Sequence, residues 1–252
     1  MTRCLLIVLL LLLAACARPP QPVWTDIPDA AELLAQLRER SPVVQGLDAE
    51  ASASIVHDGR NVSSQQFLLL QQPDRLRVDA LSGFGQLLLQ LASDGEVLTV
   101  FLNTTVPPRF FSGSASEENL SRFVQLPMPP DLLVSLLLYD PPLLDHRRQR
   151  VSEEDDQLTL YLDDGRFAQK YYFDAELRLV GCDYLEAREL LLSVRYSRIS
   201  AEDGFPRRIE LEIPPRQTRL ALRLSDLQLD PDPEPARFRL QPPDNVDVEL
   251  LD

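Results

Sequence analysis

The sequence predicts a mainly β protein: one large curled antiparallel sheet, an incomplete barrel of about ten or eleven strands, with an N-terminal helix and a central helical insert as its lid. Three observations predict this. Apolar and polar residues alternate with period two over most of the chain after Leu47, the pattern of half-buried antiparallel strands. Asp-Gly hairpin signals recur at 58–59, 94–95, 164–165 and 203–204. Only short stretches switch to helical spacing. A sheet of that size usually curls, and its concave side then covers the apolar faces of the helices.

The elements follow in order. Asp29 can cap a helix, with Glu32 three residues on and Leu33, Leu34 and Leu37 on one face; Pro42 ends it. Leu47, Ala49, Ala51, Ala53 and Ile55 alternate with polar residues, and the chain returns over 62–71 after Asp58-Gly59. A third strand spans 75–81, with Leu76, Val78 and Ala80 on one side. Ser82-Gly83-Phe84-Gly85 interrupts, and strands over 87–92 and 96–102 flank Asp94-Gly95. A short strand follows at 109–112. The middle is helical: a capped turn over 116–123, then an apolar helix over 130–139 with Pro130 at its start and Pro141-Pro142 as its stop. From Leu158 to Leu229 the alternation returns in segments divided at Asp164-Gly165, Asp174-Ala175 and Asp203-Gly204. Residues 231–235 (PDPEP) read as a linker, and 237–240 as a last edge strand.

The first residues set the compartment. Arg3 precedes an unbroken apolar run from Cys4 to Ala15, shorter than the roughly 20 residues needed to span a bilayer. The run ends in Leu13-Ala14-Ala15-Cys16, a bacterial lipobox, so residues 1–15 are expected to be a lipoprotein signal peptide and Cys16 the acylated first residue of the mature chain. Two or three acyl chains at one cysteine anchor a protein stably, whereas one does not. Ala17, rather than Asp, after the lipidated cysteine predicts the outer membrane, with the domain on its periplasmic face. Residues 16–28 carry four prolines and read as an extended tether; residues 29–252 form the half-barrel domain.

Composition narrows the partners. The chain holds 25 basic and 39 acidic residues, a net charge of −14, and loss of the signal peptide removes one arginine. Such a chain is a poor match for phosphate backbones, so no nucleic-acid partner is expected. Its membrane attachment is expected to come from the lipid anchor. With Cys4 removed and Cys16 acylated, Cys182 stands alone in an apolar run and reads as a buried small residue.

No catalytic constellation is visible, and no cofactor or metal is expected. His57 sits beside a hairpin turn, and His146 in an Arg-rich loop. There is no Gly-rich phosphate loop, His-x-x-x-His pair or Gly-x-Ser-x-Gly elbow. The acidic run Ser152–Asp156 reads as a solvated turn. An envelope-lipid hydrolase would need a nucleophile–base pair, which the sequence does not offer.

The conspicuous features are apolar. Phe67–Leu70 and Leu87–Leu91 carry apolar side chains toward both strand faces, so either helices cover the second face or it lines a cavity. Phe84, between two glycines, is either an exposed tip or a plug closing the barrel end.

The lipobox, early helix, hairpin series and helical insert resemble the LolA/LolB lipoprotein-sorting family, above all over Arg75 to Gly95 (RLRVDALSGFGQLLLQLASDG). The resemblance implies a half-barrel enclosing a hydrophobic cavity for acyl chains. Its lining here is expected from Phe67, Leu69, Leu76, Val78, Leu89, Leu91, Leu133, Leu136 and Leu137. It also implies a membrane-delivery loop made of Leu81, Gly83, Phe84 and Gly85. The expected partners are lipid acyl chains or lipoproteins and a LolA-like periplasmic carrier. Family members often line the cavity with tryptophan, yet the single tryptophan here, Trp24, lies in the tether. A sensor or envelope-assembly module with a filled core on the same scaffold is the alternative.

Overall fold

A computed structural model describes residues 24, 26–40, 44–154 and 157–251; the signal peptide, Cys16 and the tether up to residue 23 lie outside the described residues. Helix α1 (Ala30–Arg40) opens the domain. Its cap is reciprocal: Asp29 Oδ1 accepts from the N–H groups of Ala31 (2.7 Å) and Glu32 (2.9 Å), and Glu32 Oε2 accepts from the Asp29 N–H (3.0 Å).

Six antiparallel strands follow: β1 (Gly46–His57), β2 (Arg60–Gln71), β3 (Arg75–Leu81), β4 (Leu87–Ser93), β5 (Val97–Leu102) and β6 (Arg109–Ser114). The insert comprises α2 (Glu117–Val124), capped by Ser116, and α3 (Pro130–Leu137). The second half is β7 (Arg148–Glu154), β8 (Gln157–Asp163), β9 (Phe167–Phe173), β10 (Leu179–Glu186), β11 (Glu189–Ile199), β12 (Pro206–Ile213) and β13 (Thr218–Leu229). A short β14 (Val248–Leu250) ends the described chain.

All fourteen strands join one sheet, in the order β14-β6-β5-β4-β3-β2-β1-β13-β12-β11-β10-β9-β8-β7. The two ends, β14 and β7, do not pair with each other, so the barrel stays open. The count exceeds the expected ten or eleven, and two of the fourteen described strands lie outside the segments read as strands. Arg148–Glu154, read as an arginine-rich loop and an acidic turn, is an edge strand; its charges belong to an edge that discourages further pairing. The chain's last strand is β14, the one parallel neighbour in the sheet, lying along β6. The segment read as an edge strand at 237–240 instead forms a 3₁₀ turn over Pro235–Phe238.

The core lies on the concave face. Leu33, Leu34 and Leu37 of α1 and Leu133, Val134, Leu136 and Leu137 of the insert are buried in one cluster with the inward side chains of both half-sheets. Trp24, read as part of the tether, packs against this cluster.

Candidate functional site

Register assigns each apolar residue to a face. Ala49 pairs with Leu68, Leu68 with Val78 and Val78 with Leu91, so these share the concave face with Leu47, Leu70, Leu76 and Leu89. Of the expected cavity residues, Leu76, Leu91, Leu133, Leu136 and Leu137 are buried in the main core, and Val78 and Leu89 are half-buried against it. Phe67 and Leu69 are a correction: they point to the convex face, where Phe67 is half-exposed and Leu69 buried. A slip of one residue reverses the face of a strand, and Phe67–Leu70 is apolar throughout, so periodicity alone does not decide it.

What covers Leu69 explains the double-sided hydrophobicity. On the convex face Leu69 lies between Asp48 and Arg77. Arg237 spans both neighbours: its guanidinium reaches Asp48 (3.3 Å), and its carbonyl accepts from Arg77 (3.1 Å). Farther along, Leu240 packs with Ala92 and Phe110. The C-terminal segment thus shields the convex face of β2–β6, while the helices fill the concave one.

The insert is fastened by polar groups. The Pro142 carbonyl accepts from Gln169 Nε2 (2.8 Å), the Tyr171 hydroxyl (3.1 Å) and the Tyr184 hydroxyl (3.2 Å). Gln169 Oε1 accepts the Leu144 N–H at 2.8 Å, and the Tyr196 hydroxyl donates to the Leu136 carbonyl at 2.9 Å. Gln169 is fully buried, so these bonds offset a desolvation cost of about 1–3 kcal/mol that an unpaired polar group would leave. Burial holds the Tyr171 hydroxyl and the Cys182 thiol far above their ordinary pKa values, so both are neutral at physiological pH. A thiol in that state is not a nucleophile.

An apolar cleft of about 470 Å³ opens between the insert and the adjoining strand ends. Pro127, Met128 and Leu132 line one wall, and Phe167, Leu192 and Ile213 the other. That volume falls within the roughly 300–1,000 Å³ common for small-molecule sites. Sequence reading missed the cleft, because its walls come from segments dozens of residues apart. The only signal was the inward register of Phe167, Leu192 and Ile213.

Phe84 sits at the tip of the β3–β4 turn and is 95% exposed. The turn supports itself. The Ser82 N–H donates to the Gln86 carbonyl (2.8 Å), the Gly85 N–H to the Ser82 carbonyl (2.9 Å), and Ser82 Oγ accepts from the N–H groups of Phe84 (3.3 Å) and Gln86 (3.2 Å). Gly85 takes φ +77°, a conformation that side chains other than glycine rarely adopt. Leu81, at the foot, is half-buried, and Gly83 faces open space. Leaving the ring in water forgoes roughly 1.5–3 kcal/mol of burial. Phe84 does not plug the barrel.

The remaining candidates are scattered. His57 Nδ1 lies 2.7 Å from the Thr218 hydroxyl, and His146 bonds to Leu144 and Gln149. Among the described residues no three His, Cys, Asp or Glu side chains converge in a metal-binding arrangement.

No family model matches the sequence, and no curated protein matches it. Solved structures do. A DUF1329 family protein from Desulfovibrio piger superposes with a TM-score of 0.52 at 16% identity, over 87% of this chain and 98% of that one. A LolA superfamily protein from Nitrosomonas europaea gives 0.51 at 15% identity, over 84% and 98%. A domain assigned to outer membrane lipoprotein sorting in Vibrio parahaemolyticus gives 0.50 at 13% identity, over 82% and 94%. The chain carries the LolA/LolB-like fold.

Proposed function

We propose that this protein is a non-enzymatic envelope lipoprotein that accepts acyl chains of a lipid or lipoprotein beneath its helical insert and releases them into a bilayer at the Phe84 turn. Acylation of Cys16 anchors it to the periplasmic face of the outer membrane, and a LolA-like carrier delivers its client. One observation carries the reading: an almost fully exposed phenylalanine on a hydrogen-bonded turn, in a fold shared with a lipoprotein-sorting domain. The test is Phe84→Glu. A charged tip cannot enter the headgroup–acyl boundary, so transfer of an acylated client to liposomes falls while acyl-peptide binding and the melting temperature stay unchanged. Unimpaired transfer rejects the role of Phe84.

The alternative, an interaction module for sensing or envelope assembly, is favoured by one fact. The concave leucines expected to line a cavity are packed in the core. The two readings separate on acyl-peptide affinity. Each buried methylene contributes about 0.8 kcal/mol, so shortening the chain by two carbons weakens cavity binding roughly tenfold. Affinity indifferent to chain length supports the module.

A further inference from the structure

The hairpin connectivity sorts the turns onto two rims of the sheet. One rim carries the β1–β2, β3–β4, β5–β6, β8–β9, β10–β11 and β12–β13 turns; the other carries β2–β3, β4–β5, β9–β10 and β11–β12. Their chemistry differs. The described turns of the second rim hold seven carboxylates (Asp74, Asp94, Glu96, Asp174, Glu176, Glu202 and Asp203) against Arg178 alone. Those of the first rim hold Arg166, Arg188 and Arg216 against Asp58 and Asp164.

The first rim also presents a second apolar tip. Val106, in the β5–β6 turn, is 100% exposed. That turn is tied to the start of β4, the strand that leaves the Phe84 turn. The Asn103 N–H donates to the Leu88 carbonyl and Asn103 Nδ2 to the Leu87 carbonyl, both at 3.0 Å. The two tips therefore share one base. Around them, residues 80–93 and 97–108 contain no ionisable side chain, in a chain of net charge −14. An acidic protein is repelled by anionic headgroups, and the described turns of the opposite rim carry seven carboxylates against two in those of this rim.

We propose that Phe84 and Val106 form a two-pronged contact with an anionic phospholipid bilayer, docking this rim while the acidic rim faces away. The inference rests on the delivery reading of Phe84 and adds Val106 and an orientation. Two apolar side chains on one uncharged platform enter the headgroup–acyl boundary together, as the apolar face of an interfacial helix does. Farther along the same rim, Arg188 and Arg216 in the β10–β11 and β12–β13 turns offer cations to lipid phosphates.

The test uses the full-length lipidated protein reconstituted into phosphatidylethanolamine–phosphatidylglycerol vesicles. A bimane label is placed in turn at Phe84→Cys, Val106→Cys and, on the opposite rim, Ala175→Cys. Labels at 84 and 106 are expected to be quenched several-fold more by doxyl lipids than the label at 175, and to be shielded from aqueous iodide. If 84 is quenched while 106 behaves like 175, the second prong is wrong and the Phe84 reading stands. If neither is quenched, both fail. Shielding of 106 from iodide without doxyl quenching identifies an occupant other than lipid and overturns the proposal.

Discussion

Strand β4 has a turn at each end, and the two turns are built on opposite principles. The Ser82–Gln86 turn holds itself with one serine and presents its largest side chain to solvent. The Asp94–Glu96 turn is tied into the rest of the molecule. Asp94 Oδ1 accepts from the N–H groups of Val97 (2.8 Å) and Glu96 (3.1 Å), and its carboxylate pairs with Arg239, 145 residues away, at 2.6 Å. A Cβ on Gly95 would lie 2.5 Å from the Asp74 carboxylate, whereas one on Gly83 would meet nothing within 4 Å. One turn stabilises the sheet; the other presents a side chain at little structural cost.

Three substitutions test this contrast. Gly95→Ala carries the largest effect, because it adds a close contact to a backbone at φ +96°; thermal unfolding is expected to show a loss of about 1–3 kcal/mol. Asp94→Asn comes next, at about 1 kcal/mol near neutral pH, by removing the charge that faces Arg239. Its signature is pH dependence. Burial pushes the Asp94 carboxyl up, but the N–H groups of Val97 and Glu96 and the Arg239 guanidinium outweigh it and hold it below the ordinary 3.8. The unfolded chain therefore takes up this proton first. The contribution is complete above that ordinary value and lost as pH falls through the lower folded one. Asp94→Asn should accordingly flatten the acid limb of the stability curve. Gly83→Ala is smallest, within about 0.5 kcal/mol. Should it cost as much as Gly95→Ala, the Phe84 turn is a structural knot and the contrast collapses.

The legible parts of this fold were those with a local cause. The Asp-Gly pairs announce their hairpins because such turns demand positive φ, and Gly59, Gly95, Gly165 and Gly204 all adopt it. The capping box at Asp29 works through neighbours three residues apart. The glycines beside Phe84 offered its ring nothing to pack on, and it stands exposed. The illegible parts depend on distant partners. Nothing local says that residues 235–240 cover Leu69, since that segment (PARFRL) has no usable period. Strand β7 carries one apolar residue, Val151, so its charges hid the alternation. The apolar cleft escaped notice because the insert and four strands must meet to form it.

The bonds on Pro142 set where the insert is fastened. Three side chains converge on a single carbonyl, and the Gln169 that holds it also holds Leu144. The C-terminal end of the insert is thus pinned to β9 and β10, while Pro127, Met128 and Leu132 at its middle border open space. Met128 and Leu132 are packed against the main core, so that stretch of the insert is held by apolar contact where the Pro142 end is held by hydrogen bonds. The insert is thus sealed to the sheet in two ways, by leucines along its length and by tyrosine hydroxyls and one buried amide at its end.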